Sequence, residues 1–145
     1  RIYILGFAFK ANTNDTRESS AIAICRDLIE EGAILSIHDP KVEPWQINND
    51  LGLSENTQIK KMNENDTSFF EGEWCYSKNL YEGFYGADAV VLLTEWETFS
   101  NIDWAKAASL MRKPSWVFDV RSITNPNEIK KSNLNYWRIG DGAII

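Results

Sequence analysis

The first forty residues carry the feature that most constrains the fold: two apolar strands separated by an amphipathic helix. The run "IYILG" (residues 2–6) is continuously apolar, which is typical of a strand buried on both faces. Ser19 and Ser20 can cap a helix over "AIAICRDLIEEG", and Gly32 ends it. "AILSIHDP" predicts a second strand, stopped by Pro40. A strand, a helix and a strand in this order form a βαβ unit, which implies a parallel sheet.

The rest of the chain continues the alternation after one polar interruption. Residues 41–72 are Asn-rich with little periodicity, and we expect an irregular excursion with a short helical piece near Ile59–Met62. Downstream, the pattern predicts the strands EWCYS, DAVVLLTEW, SWVFDVR and NYWRIG, and the helices NLYEGFYGA, DWAKAASLMR and PNEIKK. The predicted fold class is therefore α/β: a Rossmann-like, doubly wound, mostly parallel sheet of about five to six strands with helices on both faces. Residues 1–145 are expected to form a single domain.

Composition excludes several classes of function. The net charge of −6 argues against nucleic acid as a partner, since duplex binding needs a basic face. No apolar run approaches the roughly 20 residues that span a membrane.

The two cysteines and the one histidine limit the chemistry further. Cys25 and Cys75 stand far apart and are expected to be reduced thiols of a cytoplasmic protein. With His38 as the one histidine, no metal site is expected. The chain opens at Arg1 without Met, so we expect a piece of a longer protein.

The loops that follow the strands indicate the ligand. In open parallel sheets, ligands bind outside the carboxyl ends of the strands. Those ends carry Lys10 and Arg17 after the first strand and Arg121 after "WVFD". Cations at the ligand edge of an acidic protein favour an anion, and phosphate suits both side chains. A dinucleotide turn needs G-x-G-x-x-G, but Gly6 is followed by "FAFKA", so this turn is not expected to cradle NAD.

Four motifs then carry a resemblance. "GFAFKANTNDTRESS", "HDP", "DAVVLLTEW" and "FDVR" resemble, in order and to about residue 122, the C-terminal part of the UDP-glucose/GDP-mannose dehydrogenase family. The resemblance implies a larger homo-oligomeric enzyme with an N-terminal NAD domain, a central helix and a C-terminal domain that holds UDP. Such enzymes oxidise the sugar C6 alcohol to a carboxylate with two NAD. "DTRESS" with "TEW" is more similar to members that convert UDP-glucose to UDP-glucuronate than to the GDP-mannose or UDP-amino-sugar branches.

The resemblance also implies roles for particular residues. Phe9 and Lys10 map onto a substrate-binding Phe-Lys pair, and Arg121 maps onto a further substrate contact. Arg17 maps onto an arginine that reaches the cofactor, which is bound mainly by the N-terminal domain. The catalytic cysteine of the family lies in a glycine-rich segment of the N-terminal half, and neither cysteine of this chain has that context. No catalytic residue is therefore expected here, and the chain alone should be inactive.

Each candidate also has a structural interpretation. Lys10 can be a solvated loop lysine, and Phe9 can belong to the core. Arg17 can instead clamp the turn by pairing with Asp15 or Glu18.

The residues at the other strand ends leave further alternatives open. Asp39 ends the second strand, where an acid often binds ribose in dinucleotide-binding domains. Because the first turn lacks the G-x-G-x-x-G glycines, a turn-forming Asp-Pro is the favoured interpretation. Glu95 and Trp96 can line the site or pack at the strand end. Val120 stands where the family has Gly, so that turn is expected to be tightened or displaced.

Two other functions compete with the nucleotide-sugar domain. A flavodoxin-like or response-regulator-like module needs a Ser/Thr/Gly phosphate loop or an acidic pocket, and neither "FAFKANTND" nor "HDP" supplies one. A non-enzymatic interaction module built on a nucleotide fold is the other alternative. Binding of UDP distinguishes it from the first hypothesis.

Overall fold

The computed structural model describes residues 1–61 and 72–141. These residues form one sheet of six strands in the order β3-β2-β1-β4-β5-β6, and every neighbouring pair is parallel. The strands are β1 (Ile2–Leu5), β2 (Ile34–His38), β3 (Glu73–Tyr76), β4 (Ala89–Leu92), β5 (Trp116–Asp119) and β6 (Asn135–Arg138). The helices are α1 (Ser20–Glu30), α2 (Pro44–Leu51), α3 (Glu97–Ser100), α4 (Trp104–Leu110) and α5 (Pro126–Lys131), with 3-10 turns at Thr57–Lys61 and Glu82–Phe84.

Side chains alternate between two hydrophobic cores, one on each face of the sheet. In β1, Tyr3 and Leu5 belong to one core and Ile4 to the other, and all three are fully buried. Helices α4 and α5 cover the Tyr3 face, while α1 and α2 cover the Ile4 face. The sequence prediction of a doubly wound parallel sheet with helices on both faces is confirmed. Its basis was the continuous apolar runs, which are typical of parallel strands covered on both faces.

The prediction of an irregular excursion over residues 41–72 is wrong in its first part. Pro44–Leu51 is a helix, begun by a capping box between Glu43 and Gln46 and closed by Gly52 in the left-handed conformation. Its buried residues are Ile47 and Leu51 alone, which is too few to give a periodic signal. The 3-10 turn Thr57–Lys61 overlaps the helical piece expected near Ile59–Met62, while residues 62–71 lie outside the described part.

The strand order places the functional edge. From β1 the chain adds β2 and β3 on one side, and it then returns to the other side of β1 to add β4, β5 and β6, so the order of the strands reverses between β1 and β4. In doubly wound sheets the crevice at this switch point, outside the carboxyl ends of the strands, is where ligands bind. The loops that follow β1, β4 and β5 therefore meet at one edge, and these are the loops that carry Lys10, Glu95 and Arg121.

Candidate functional site

The loop after β1 is fixed at its base before it reaches the candidate residues. Asp39 Oδ2 accepts hydrogen bonds from the backbone N–H groups of Phe7 at 2.8 Å and Ala8 at 3.0 Å. Ser19 Oγ donates to the Phe7 carbonyl at 2.8 Å and also caps α1 by accepting from Ala21 N at 3.3 Å. The two peptide units that precede the Phe-Lys pair are thus held from both sides, so the pair leaves a rigid base.

Phe9 and Lys10 project from that base into solvent. Phe9 is 48% exposed, and its N–H donates to the Asp15 carbonyl at 2.7 Å, which closes the loop on itself. Lys10 is exposed as well. The alternative that Phe9 belongs to the core is wrong, since about half of its surface is exposed. An exposed aromatic ring beside an exposed lysine offers both an apolar contact and a charge to a ligand.

Arg17 lies in the same loop but pairs with Asp15. Its Nε donates to Asp15 Oδ1 at 3.0 Å and its Nη2 to Oδ2 at 2.8 Å, a two-pronged contact. These hydrogen bonds from Arg17 lower the pKa of the Asp15 carboxyl to about 2. The clamp interpretation is confirmed with Asp15 as the partner, yet the Arg17 side chain remains 88% exposed, so the clamp presents the guanidinium outward.

An open groove of about 560 Å³ runs beside Arg17. One wall is the loop segment 13–17, and the other is α2, which contributes Trp45, Gln46, Asn49 and Asp50. Gln46 Nε2 donates to the Asn14 carbonyl at 3.0 Å and so joins the two walls. The unpredicted helix α2 therefore shapes the surroundings of Arg17.

Arg121 is positioned by backbone contacts at the end of β5. Its Nε donates to the Leu93 carbonyl at 2.8 Å, and its N–H donates to Asp119 Oδ1 at 3.0 Å. Val120, which stands where the resemblance implies glycine, does not have a positive φ; the left-handed residue of this turn is Ser122, at φ 56°. Val120 therefore needs no glycine-like conformation here, because the turn has its left-handed residue two positions later.

Two buried aspartates organise these loops. Asp39 is 1% exposed, and its Oδ1 accepts from Lys41 N at 2.8 Å and Val42 N at 3.0 Å, in addition to the two bonds from the β1 loop. The turn-forming interpretation of Asp39 is confirmed, since its oxygens are engaged by backbone donors. Asp119 is fully buried, and its Oδ2 accepts from Thr124 N at 2.9 Å and Thr124 Oγ1 at 2.6 Å.

Glu95, after β4, connects the two cationic loops. Its Oε1 accepts from Ala11 N at 3.3 Å, and its Oε2 lies 3.7 Å from Arg121 Nε. The next residue, Trp96, is buried, so the strand-end packing expected for this pair holds for Trp96 and not for Glu95. The structure brings the β1 loop and Arg121 to one edge through Glu95, while Arg17 faces the groove beside α2.

Among the described residues, no cysteine lies at this edge. Cys25 is a buried free thiol in the core beneath α1, and Cys75 is a buried free thiol packed against Ile59; burial raises the pKa of both, that of Cys25 to about 12. Over residues 1–61 and 72–141, no cluster of three His, Cys, Asp or Glu side chains could hold a metal ion. In the same ranges, none of the helices has the length and apolarity to cross a membrane. The edge can bind and orient an anion, but it holds no thiolate for covalent chemistry.

These features define a Rossmann-like α/β domain with exposed cations on the loops at its ligand edge. Comparison with known proteins identifies the chain more closely: it belongs to the UDP-glucose/GDP-mannose dehydrogenase family, and residues 3–126 match the UDP binding domain of that family. It is 41% identical over 145 residues to a UDP-glucose 6-dehydrogenase of Pongo abelii and 38% identical over 140 residues to one of Drosophila melanogaster. Each alignment covers 97% of this chain but only 27% and 28% of the respective relative.

A solved structure gives the same picture. The NDP-N-acetyl-D-galactosaminuronic acid dehydrogenase of Methanosarcina mazei superimposes with a TM-score of 0.68 at 25% identity, over 96% of this chain and 24% of that protein. The family resemblance inferred from the four motifs is thereby confirmed. The chain spans 24–28% of the length of these similar proteins.

Proposed function

We propose that this chain is the C-terminal, UDP-sugar-binding domain of a UDP-glucose 6-dehydrogenase, which oxidises UDP-glucose to UDP-glucuronate with two NAD. The observation that carries the proposal is the pair of exposed cationic side chains, Lys10 and Arg121, on loops at the carboxyl edge of an acidic chain. The names of the relatives at 38% and 41% identity support the choice of UDP-glucose.

Each candidate residue has a role in this proposal. Lys10 and Arg121 neutralise the diphosphate of the nucleotide sugar, which carries about two negative charges and needs paired donors when it is partly desolvated. Phe9 supplies an apolar contact beside Lys10. Arg17, presented outward by Asp15, reaches a cofactor bound by another domain. These groups bind and orient; the hydride chemistry belongs to NAD when it is bound.

The proposal assigns the remaining machinery to other parts of a longer protein. Residues 1–145 form one domain, and an N-terminal NAD domain and a central helix contribute the nucleophile and most of the cofactor site. The bulky turn after Gly6 supports this division, since it lacks the glycines of a pyrophosphate cradle. The full-length protein is a homo-oligomer, and it is cytoplasmic, in keeping with two unpaired cysteines. The isolated chain is inactive.

A titration followed by NMR tests the proposal. The ¹⁵N-labelled chain is titrated separately with UDP, GDP and NAD, and UDP is expected to bind with a Kd near millimolar, about −4 kcal/mol, because much of the site lies elsewhere. NAD is expected to cause no saturable shift. A preference for GDP over UDP would instead favour a GDP-mannose enzyme, and no binding of either would favour an interaction module.

Matched variants locate the binding. Lys10→Ala and Arg121→Ala should each weaken UDP binding about tenfold or more, since each removes a charged donor to phosphate. Lys131→Ala, at the exposed end of α5, removes the same charge far from the edge and should change the Kd by less than about twofold. Equal Kd values for all three variants would show that the nucleotide does not sit at this edge.

A further inference from the structure

Glu95 occupies the position where an anionic ligand is expected. It follows β4, which borders the switch-point crevice, and its carboxylate lies between the β1 loop and Arg121. Its partners are a backbone N–H, that of Ala11, and a guanidinium. Backbone N–H groups and guanidinium groups are the donors that bind phosphate oxygens. A negatively charged side chain therefore contacts the donors that a diphosphate would need.

The contacts of Glu95 are weak enough to be exchanged. The bond to Ala11 N is long at 3.3 Å, and the 3.7 Å separation from Arg121 Nε exceeds hydrogen-bonding distance. Both side chains are exposed, by 42% for Glu95 and 38% for Arg121, so water screens their attraction. Arg121 does not depend on Glu95 for its position, because the Leu93 carbonyl accepts from its Nε at 2.8 Å.

The two residues that flank Glu95 have hydrogen-bonding capacity left over. Thr94 Oγ1 and Trp96 Nε1 are buried without a partner, and they are two of the three such side-chain atoms found among the described residues. Buried polar groups are rarely unpaired, and those that are call for an explanation. Thr94 and Trp96 are themselves buried, so the exposed Glu95 side chain between them is the part of this segment that can move.

We propose that Glu95 is a built-in counter-ion that occupies the diphosphate position in the free domain and is displaced when a nucleoside diphosphate binds. This inference rests on the proposed function. The ligand takes over Ala11 N–H and the Arg121 guanidinium, and the exposed Glu95 side chain turns away into solvent. The displaced charge opposes the ligand's charge, so Glu95 lowers the affinity of the edge and keeps the binding of a dianion reversible.

The test compares Glu95→Gln with Glu97→Gln. Both variants remove one negative charge, and Glu97 is exposed two residues further on, at the start of α3. UDP and inorganic pyrophosphate are titrated into the ¹⁵N-labelled wild-type chain and both variants. Glu95→Gln should bind each ligand about three- to tenfold more tightly, whereas Glu97→Gln should differ from wild type by less than about twofold. The gain should shrink in 0.5–1 M salt, because screening weakens the repulsion that Glu95 exerts.

Each result separates this inference from the proposed function. Weaker binding by Glu95→Gln would show that Glu95 holds the ligand or Arg121. An unchanged Kd would show that Glu95 does not compete with the ligand. Either result overturns the inference and leaves the proposed UDP site standing. Absence of binding by the wild type and both variants overturns both proposals. In the ligand-free chain, the Arg121 Nε–H and Ala11 N–H resonances should shift in Glu95→Gln and not in Glu97→Gln, and unmoved resonances would also count against the inference.

Discussion

Replacement of Asp39 by Asn tests whether one buried carboxylate holds the base of the candidate site. Asp39 accepts four backbone hydrogen bonds of 2.8–3.0 Å, two at Oδ2 from the β1 loop and two at Oδ1 from the β2 loop. Asparagine has nearly the same shape but only one accepting oxygen. Whichever way its amide is turned, an NH₂ group faces two N–H donors, so one of the two loops loses both of its bonds.

The cost follows from the burial of those donors. Leaving a buried N–H unpaired costs about 1–3 kcal/mol, and relief from burying a charge offsets part of the loss. For two donors we expect Asp39→Asn to lower the free energy of unfolding by roughly 2–4 kcal/mol, a large part of the stability of a domain of this size. With a urea m-value of about 2 kcal/mol/M, the midpoint should fall by about 1–2 M.

Equilibrium urea unfolding, followed by tryptophan fluorescence and circular dichroism, measures this shift. Asp27→Asn is the control, since Asp27 is exposed on α1 and its change should stay within about 0.5 kcal/mol. If Asp39→Asn unfolds at the same urea concentration as Asp27→Asn, the four bonds do not stabilise the fold and the reasoning is refuted. If the lost bonds are those of the β1 loop, the variant should also bind UDP more weakly, since Lys10 then leaves a looser base.

The remaining predictions concern the cores. Gly6→Ala should lower the free energy of unfolding by about 3 kcal/mol or more, because φ is +96° and the new Cβ would lie 1.8 Å from Thr94 Oγ1. Gly32→Ala is the control: at φ +91° with nothing within 4 Å of its Cβ, it has the backbone strain without the clash. Equal melting temperatures for the two variants would disprove the clash. Cys25 and Cys75 should resist a thiol reagent at pH 8 in the native chain and react fully in urea, and rapid native labelling would contradict their burial. The pKa of Cys25 is raised from 9.0 to about 12, so its thiol ionises first in the unfolded chain, and the stability it contributes is intact below pH 9 and declines above it by up to about 1.4 kcal/mol per pH unit. Cys75 and Tyr3, whose pKa values burial also raises, add to this decline, so urea unfolding from pH 8 to 11 should show a smaller loss for Cys25→Ala than for the wild type.

The sequence predicts the centre of this sheet because the strands there are apolar and largely buried. A run such as "IYIL" has no polar face, which is typical of an interior parallel strand. Helix α2 escaped prediction because it buries only Ile47 and Leu51 and begins at a capping box formed by Glu43 rather than by serine, threonine or asparagine. Periodicity detects helices by their apolar face, so a short helix with two apolar contacts lies below what it can detect.

The candidate site divides in the same way. Lys10 and Arg121 could be placed at one edge because the carboxyl ends of parallel strands share an edge. The link between their loops could not, because Glu95 contacts a residue 84 positions away in the sequence. Ser19 shows a middle case: its capping role was visible in the sequence, but its bond to the Phe7 carbonyl depends on the tertiary fold. Local patterns report what a residue does for its own element and leave out bonds made across the sheet.

An acidic chain can present a cationic edge because its carboxylates at the strand ends are turned inward. Asp39 and Asp119 are 1% and 0% exposed, and backbone N–H groups accommodate their charge, so they contribute little to the field outside. The charges that a ligand meets are those of the exposed side chains: Lys10, Arg121 and, against them, Glu95. The net charge of −6 is therefore a poor guide to this edge. Of these three side chains Glu95 is the carboxylate, so its removal changes the local charge balance more than a substitution of buried Asp39 or Asp119 does.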